Sequence, residues 1–173
     1  MDVLVDKVMI IVLGLPGTGK TTFAKALASA IGAKHISSDA LRFETGRKGK
    51  YDLKSKSRIY DLILDHAIDF LDKGQSVVLD GTFSREEWRT RFRNTAQKKS
   101  WSLYWMVIEA EENIVQQRVS QKRESSEADF SVYQKVRDEF DPVRDEHLIL
   151  QSDKYSVESL VQKALLYLSN VTL

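Results

Sequence analysis

Residues 8–21 read VMIIVLGLPGTGKT, and this stretch decides the fold that the sequence predicts. Its first six residues are apolar, which is typical of a strand buried on both faces of a parallel sheet. The next eight fit the pattern G-x-x-x-x-G-K-[ST], in which glycines let backbone N–H groups turn inward around phosphate oxygens. Such a loop between a strand and a helix predicts a site for a nucleoside triphosphate.

The residues of this glycine loop have separate predicted roles toward ATP and Mg²⁺. Lys20 is expected to reach the β- and γ-phosphates and to count among the catalytic residues, and the Thr21 hydroxyl to ligate Mg²⁺. The helix that follows the loop adds its positive N-terminal end. The predicted nucleotide-binding residues are Gly14, Pro16, Gly17, Thr18, Gly19, Lys20, Thr21 and Thr22.

Apolar runs and helical patterns alternate along the rest of the chain. Further strands are predicted at 33–36, 76–80, 101–108 and 148–150, and helices at 21–31, 58–72, 84–98, 111–122, 129–140 and near the C-terminus. Residues 42–57 look irregular and basic. This alternation predicts an α/β doubly wound domain. Without a repeat or a linker, residues 1–173 are expected to form a single domain.

Composition excludes several other classes of site. The chain has no cysteine, which removes disulfides, thiolate chemistry and Cys-based zinc sites. Its net charge of +1 argues neither for nor against a nucleic-acid partner. The apolar run near the N-terminus is too short to span a bilayer and does not resemble a signal peptide, so we expect a cytoplasmic protein with no membrane partner.

Asp80 ends the apolar run VVLD at residues 77–80, as expected of a Walker-B-type carboxylate near Mg²⁺. A hydrolytic motor usually carries a glutamate directly after this aspartate, and here Gly81 follows. A guanine-specific switch needs an Asn-Lys-x-Asp signature, which the sequence lacks. Both classes are therefore disfavoured.

A second carboxylate follows the second predicted strand, in HISSDALR at residues 35–42. If Asp39 faces the γ-phosphate, it can accept the proton of an acceptor hydroxyl, and Arg42 one turn later can pair with the substrate or the transferring phosphoryl group. Ser37 or Ser38 would cap the helix that begins there. The alternative is a capping aspartate with a solvated arginine.

In this order, GLPGTGKT (14–21), SDALR (38–42), VVLDGT (77–82) and RVSQKR (118–123) resemble the motifs of small P-loop kinases. That group includes polynucleotide 5′-hydroxyl kinases, zeta-type toxin kinases and chloramphenicol phosphotransferase. The resemblance spans roughly residues 7–142 and implies a P-loop NTPase three-layer αβα sandwich. It also implies about five mostly parallel strands and a helical lid at approximately 118–130.

The same resemblance implies roles for individual residues. Asp39 would be the general base, Arg42 a contact to the substrate or transition state, and Asp80 and Thr82 neighbours of the acceptor or of Mg²⁺. Arg118 and Arg123 would be catalytic lid arginines that close over the ATP phosphates.

Two basic features bear on the phosphate acceptor. Segment 45–58 holds six cations against the single acid Asp52. Arg85, Arg89 and Arg93 recur at helical spacing and are expected on one ridge, whereas Trp88 and Phe92 are expected in the core. Arg85 and Arg89 are thus predicted to bind an anionic acceptor, either nucleic acid or a phosphorylated metabolite. A solvated charged face is the alternative.

The hypothesis from the sequence is an ATP- and Mg²⁺-dependent phosphotransferase acting on a hydroxyl. Its acceptor is either a small molecule or the 5′-hydroxyl of a polynucleotide. The rival hypothesis is a non-catalytic ATP-binding regulatory module or toxin-like protein.

Overall fold

Strands and helices alternate in the computed structural model, which describes residues 7–50, 52–121 and 130–171. The strands are β1 (Val8–Leu13), β2 (Lys34–Ser37), β3 (Val77–Asp80), β4 (Ser102–Glu109) and β5 (His147–Gln151). The helices are α1 (Lys20–Ile31), α2 (Ser38–Glu44), α3 (Leu53–Asp72), α4 (Glu86–Lys99), α5 (Glu112–Ser120), α6 (Phe130–Asp138) and α7 (Val157–Val171). In these ranges no helix is long and apolar enough to cross a membrane.

The strands form one parallel sheet in the order β2-β3-β1-β4-β5. The strand with the uninterrupted apolar run, β1, lies in the middle and is buried along its whole length. The register places Asp80 beside both Val12 and Ser37, so β1, β2 and β3 end at the same edge. The predicted five-stranded sheet is confirmed, and every strand pair is parallel.

Alternate side chains of β1 enter two separate cores. Met9, Ile11 and Leu13 pack with α3 and α4 on one face of the sheet. Val8, Ile10 and Val12 pack with α1 and α7 on the other. The predicted three-layer αβα sandwich is therefore confirmed, and Trp88 and Phe92 lie in the first core as expected.

Segment 42–57 is more regular than the sequence predicted. Helix α2 extends to Glu44, and α3 begins at Leu53, several residues before the expected start. The carboxylate of Asp52 accepts a hydrogen bond from the N–H of Ser55 at 2.9 Å, which caps α3 and lowers the pKa of Asp52. The first turn of α3 was not predicted, because its composition is mostly polar and basic and the apolar stripe of the helix starts only at Ile59.

A third, small core joins α5 and α6 to the glycine loop. Val115 and Val119 of α5 pack with Tyr133 of α6, and Leu15 of the loop contacts them. Residues 122–129, which include most of the predicted lid and Arg123, lie outside the described residues.

Candidate functional site

The glycine loop between β1 and α1 has a backbone conformation and close neighbours that leave little room for side chains on its glycines. Gly14, Gly17 and Gly19 all have positive φ, at 149°, 77° and 93°. A β-carbon on Gly14 would lie 2.4 Å from the carbonyl oxygen of Ile108, and one on Gly17 would lie 3.0 Å from Val115 and Val119. Gly14 and Gly17 are therefore required by close packing against β4 and α5, and Gly19 by its left-handed backbone.

Lys20 turns its ammonium back into this loop. Its Nζ donates to the carbonyl oxygen of Leu15 at 2.7 Å, and the hydroxyl of the buried Thr18 donates to the same oxygen at 2.9 Å. Burial lowers the pKa of Lys20, while the negative charges of Asp80 and Asp39 raise it. A partly desolvated ammonium is thus held against the backbone of the loop.

The remaining predicted nucleotide-binding residues lie on the same loop and on the first turn of α1. Pro16 is half-buried, and Thr22 is exposed on α1. Neither makes a side-chain hydrogen bond among the described residues.

Thr21 and Asp80 meet at the end of β3. The Thr21 hydroxyl donates to Oδ1 of Asp80 at 2.9 Å, and Oδ2 of Asp80 is hydrogen-bonded to Nε2 of His35. Asp80 is only 2% exposed. Hydroxyl and carboxylate oxygens suit Mg²⁺, which commonly takes one or two protein ligands and completes its shell with phosphates and water. In the described ranges, no group of three or more His, Cys, Asp or Glu could hold a metal ion.

Asp39 and Arg42 lie beside this pair, because α2 starts directly after β2. The Asp39 side chain is 76% exposed and that of Arg42 only 8%, and Nη1 of Arg42 lies 3.4 Å from Oδ1 of Asp39. The alternative of a solvated arginine is therefore wrong. Ser37 occupies the N-cap position, but its side chain makes no capping bond.

Tyr60 was missed by the sequence analysis and lies next to Thr82. Its buried hydroxyl is 3.1 Å from Oγ1 of Thr82 and accepts the N–H of Phe83 at 2.8 Å. Phe83 has a φ of 45°, a left-handed backbone conformation that residues other than glycine rarely adopt. Burial raises the pKa of Tyr60. In the sequence, Tyr60 falls on the apolar stripe of α3 and gives no signal beyond a core position.

Arg118, at the end of α5, contacts the glycine loop from the side of β5. Its guanidinium donates to the hydroxyl and carbonyl oxygens of Ser152 at 3.0 and 3.2 Å, and to the carbonyl oxygen of Thr18 at 3.4 Å. The predicted lid arginine is thus brought to the loop. Ser152 follows β5 and had no sequence motif to reveal it.

The predicted ridge of three arginines on α4 is wrong. Arg89 is 0% exposed, with Nε 3.2 Å from Glu86 and Nη2 donating to the carbonyl oxygen of Asp141 at 2.8 Å. Arg93 is paired with Asp145 and Glu86 at 2.6 and 2.9 Å. Arg85 occupies the N-cap position of α4, half-buried, because Glu86 and not Ser84 or Arg85 is the first helical residue.

A family model described as an AAA domain matches residues 9–145, which include the loop, both strand-end aspartates and α6. The chain belongs to the AAA domain family. The match covers most of the described residues, and Ser152, which holds Arg118 beside the loop, lies outside it.

Curated relatives of this AAA domain match over a shorter stretch. An uncharacterized protein of Mycobacterium tuberculosis is 37% identical over 95 residues, which are 48% of this chain and 19% of that protein. An uncharacterized protein of Mycobacterium bovis matches to the same extent. The match thus spans about a fifth of the length of these relatives.

Solved kinase structures share the fold of this AAA domain over nearly the whole chain. A gluconokinase from Sinorhizobium meliloti has a TM-score of 0.72 at 20% identity and covers 95% of this chain and 93% of its own. The APS kinase of Mycobacterium tuberculosis, solved with AMPPNP and APS, has a TM-score of 0.74 at 15% identity, with coverages of 94% and 98%. A sugar kinase from Janibacter has a TM-score of 0.71 at 17% identity, covering 94% of both chains. This AAA domain therefore has the P-loop kinase fold.

Proposed function

We propose that this AAA domain is an ATP- and Mg²⁺-dependent phosphotransferase that moves the γ-phosphate of ATP to a hydroxyl group. The observation that carries the proposal is the convergence of three strand ends. Lys20 after β1, Asp39 after β2 and Asp80 at the end of β3 are close enough that both carboxylates raise the pKa of the Lys20 ammonium. Ligands of open α/β sheets bind at this edge.

The glycine loop and Lys20 hold the β- and γ-phosphates in this mechanism, through backbone N–H groups and one ammonium. Thr21 and Asp80 are the residues that would hold Mg²⁺, which neutralises charge on the phosphate oxygens when bound. His35 fixes Oδ2 of Asp80, so that the carboxylate keeps one orientation. Arg118 is placed to add positive charge beside the loop as the transition state forms.

Asp39 is the base. Its exposed carboxylate accepts the hydroxyl proton while the acceptor oxygen forms a bond to the γ-phosphorus and the bond to the ADP oxygen breaks. Arg42 anchors that carboxylate from the protein interior and contacts the acceptor or the transferring phosphoryl group. Thr82, held by Tyr60, presents a second hydroxyl on the acceptor side.

Gly81 favours transfer over hydrolysis. A β-carbon at this position would lie 3.1 Å from Oγ of Ser38 and 3.2 Å from the ring of Phe83. A glutamate that orients water, as hydrolytic motors use after the Walker-B aspartate, does not fit there without displacing both neighbours.

A transfer assay tests the proposal. Purified protein is incubated with γ-labelled ATP, Mg²⁺ and a panel of sugars, sugar acids, nucleosides and 5′-hydroxyl oligonucleotides, and labelled product is measured against ADP. We expect labelled product with at least one acceptor and none with Lys20→Ala. ATP binding without transfer to any member of the panel would refute the phosphotransferase and favour an ATP-dependent regulatory module.

A further inference from the structure

We propose that Ser152 is a positioning residue of the nucleotide site. Its hydroxyl holds the peptide between Thr18 and Gly19 in the orientation that turns the Gly19 N–H toward the phosphates, and it fixes Arg118 beside the glycine loop. The inference rests on the proposed function, because it adds a residue to the site that holds ATP.

Ser152 reaches the glycine loop because β5 ends at the same edge of the sheet as β1. The register places Gln151 beside Glu109 at the end of β4, and the N–H of Ser152, one residue further, donates to the carbonyl oxygen of Glu109 at 2.9 Å. Strand β4 also pairs with β1 as far as Leu13, directly before the loop. The sheet thus fixes the backbone of Ser152, and its side chain is half-buried against the loop.

The Ser152 hydroxyl is the middle member of a chain of two hydrogen bonds. It donates to the carbonyl oxygen of Thr18 and accepts a hydrogen bond from Nη1 of Arg118 at 3.0 Å. The other terminal nitrogen of Arg118 donates to the carbonyl oxygen of Ser152 at 3.2 Å. Because a cation that donates to a hydroxyl polarises it, Arg118 strengthens the bond from Ser152 to the loop.

The bond to the Thr18 oxygen determines which way the next N–H points. The peptide between Thr18 and Gly19 is trans, so its C=O and N–H point in opposite directions. Since the Thr18 oxygen faces Ser152, the Gly19 N–H faces away from β5 and into the loop. Within the described ranges this N–H has no hydrogen-bond acceptor. It is therefore an N–H at the start of α1 that can donate to a phosphate oxygen.

Gly19 needs such a constraint from outside the loop. Its φ of 93° is accessible to glycine at little cost, but a glycine has many other conformations available. A β-carbon on Gly19 would lie 3.6 Å from Oγ of Ser152 and 3.9 Å from Nη1 of Arg118, so both side chains pack on this peptide. Fixing the N–H before the nucleotide binds removes an entropic cost from binding.

A local structural role does not account for the Ser152 hydroxyl. Ser156, later in the same connection, accepts the N–H of Ser159 at 3.2 Å, which is the short-range bond typical of a serine before a helix. The Ser152 hydroxyl instead bonds to residues 34 and 134 positions away in the chain. It joins the end of β5 to α5 and to the loop after β1.

Two variants of the same shape test the hydroxyl. Ser152→Thr keeps it, whereas Ser152→Val replaces it by a methyl group that also keeps water away from the Thr18 oxygen. Both are titrated calorimetrically with ADP and with AMPPNP in the presence of Mg²⁺, so that the measurement needs no phosphoryl transfer. We expect nearly wild-type affinity in Ser152→Thr and about tenfold weaker binding of both nucleotides in Ser152→Val.

A control and a second readout separate this effect from a general loss of stability. Ser156→Ala should lower the melting temperature and leave nucleotide affinity unchanged, because it removes only the bond to Ser159. In protein labelled with ¹⁵N at its eight glycines, saturating ADP should move the Gly19 amide signal less in Ser152→Val than in Ser152→Thr. The signal of Gly46, whose N–H donates to the carbonyl oxygen of Phe43, should not differ.

Replacing Arg118 by methionine shows whether the hydroxyl acts on the loop itself. The difference in affinity between Ser152→Thr and Ser152→Val should persist in Arg118→Met, because the Thr18 oxygen is the group that loses its donor. A difference that disappears in Arg118→Met, or equal affinities of the two variants, overturns the inference. If both larger side chains prevent folding, Ser152→Ala decides, with an expected loss of about threefold. Wild-type affinity in that variant likewise overturns it.

The proposed function fails separately from this inference. Weaker ADP binding in Ser152→Val than in Ser152→Thr, together with no phosphoryl transfer to any acceptor, supports the role of Ser152 and refutes the kinase. Transfer by the wild type, together with equal nucleotide affinities of the two variants, does the reverse.

Discussion

The Thr21 hydroxyl donates a 2.9 Å hydrogen bond to Oδ1 of Asp80, which joins the first turn of α1 to the end of β3. These residues are far apart in the chain, and the parallel pairing of β1 with β3 brings them together. His35 holds the other carboxylate oxygen from β2. The two oxygen ligands proposed for Mg²⁺ are therefore positioned by three neighbouring strand ends.

Replacing Asp39 by asparagine should reduce kcat by roughly 10²–10⁴-fold, because the amide cannot accept the hydroxyl proton. The dissociation constant for ATP should stay the same, since the glycine loop is untouched. The melting temperature should also stay the same, because the Asp39 side chain is 76% exposed. Single-turnover transfer, nucleotide titration and thermal unfolding measure the three quantities. Glu44→Gln, an exposed acid on the same helix, is the control. Wild-type turnover in Asp39→Asn would exclude it as the base.

Gly14→Ala should destabilise the protein and weaken ATP binding together. The new β-carbon would lie 2.4 Å from the carbonyl oxygen of Ile108, so the loop must move away from β4. Gly46→Ala is the matched control, because Gly46 also has positive φ, at 67°, but has no atom within 4 Å of the added carbon. The control should lose about 1–2 kcal/mol from backbone strain alone. Gly14→Ala should lose a further 1–3 kcal/mol, roughly, from overpacking. Equal losses in urea denaturation would show that the close contact with Ile108 does not matter.

The glycine loop and the central strand could be predicted because their signals are local. Full burial of β1 requires a run of apolar residues, and the loop requires glycines at fixed spacing. Asp39 and Asp80 followed from the rule that parallel strands end at one edge. Arg89 could not be assigned in this way, because its burial depends on the carbonyl oxygen of Asp141, a distant part of the chain. Because Arg89 recurs at helical spacing with Arg85 and Arg93, the sequence could not distinguish a buried Arg89 from one on an exposed ridge of arginines.

Tyr60→Phe should cost about 1–3 kcal/mol in the free energy of unfolding, because the buried N–H of Phe83 loses its acceptor. The aromatic ring remains, so its stacking on Trp88 is kept. Thr82 loses the hydroxyl partner that orients it, and kcat should fall while the KM for ATP is unchanged. Tyr155→Phe, on an exposed tyrosine, controls for loss of a phenol and should change neither quantity. A stable variant with wild-type kcat would remove Tyr60 from the site.

Lys20→Met should stabilise the nucleotide-free protein and weaken its affinity for ATP. Burial lowers the pKa of Lys20 from its ordinary value of 10.5, so in the window between the folded and unfolded values the unfolded chain binds more protons. The free energy of unfolding of the wild type should therefore increase with pH through that window. Below the window it should be lower by a constant amount, which is the cost of burying the charged Lys20.

The methionine variant lacks this titration. Its free energy of unfolding should exceed that of the wild type at neutral pH, and the difference should shrink as pH approaches 10.5. Urea denaturation over a pH series, in buffer without phosphate or sulfate, measures both effects. Lys25→Met, on an exposed lysine of α1, should follow the wild-type curve. A less stable Lys20→Met at neutral pH would mean that the hydrogen bond to Leu15 outweighs the cost of burying the charge.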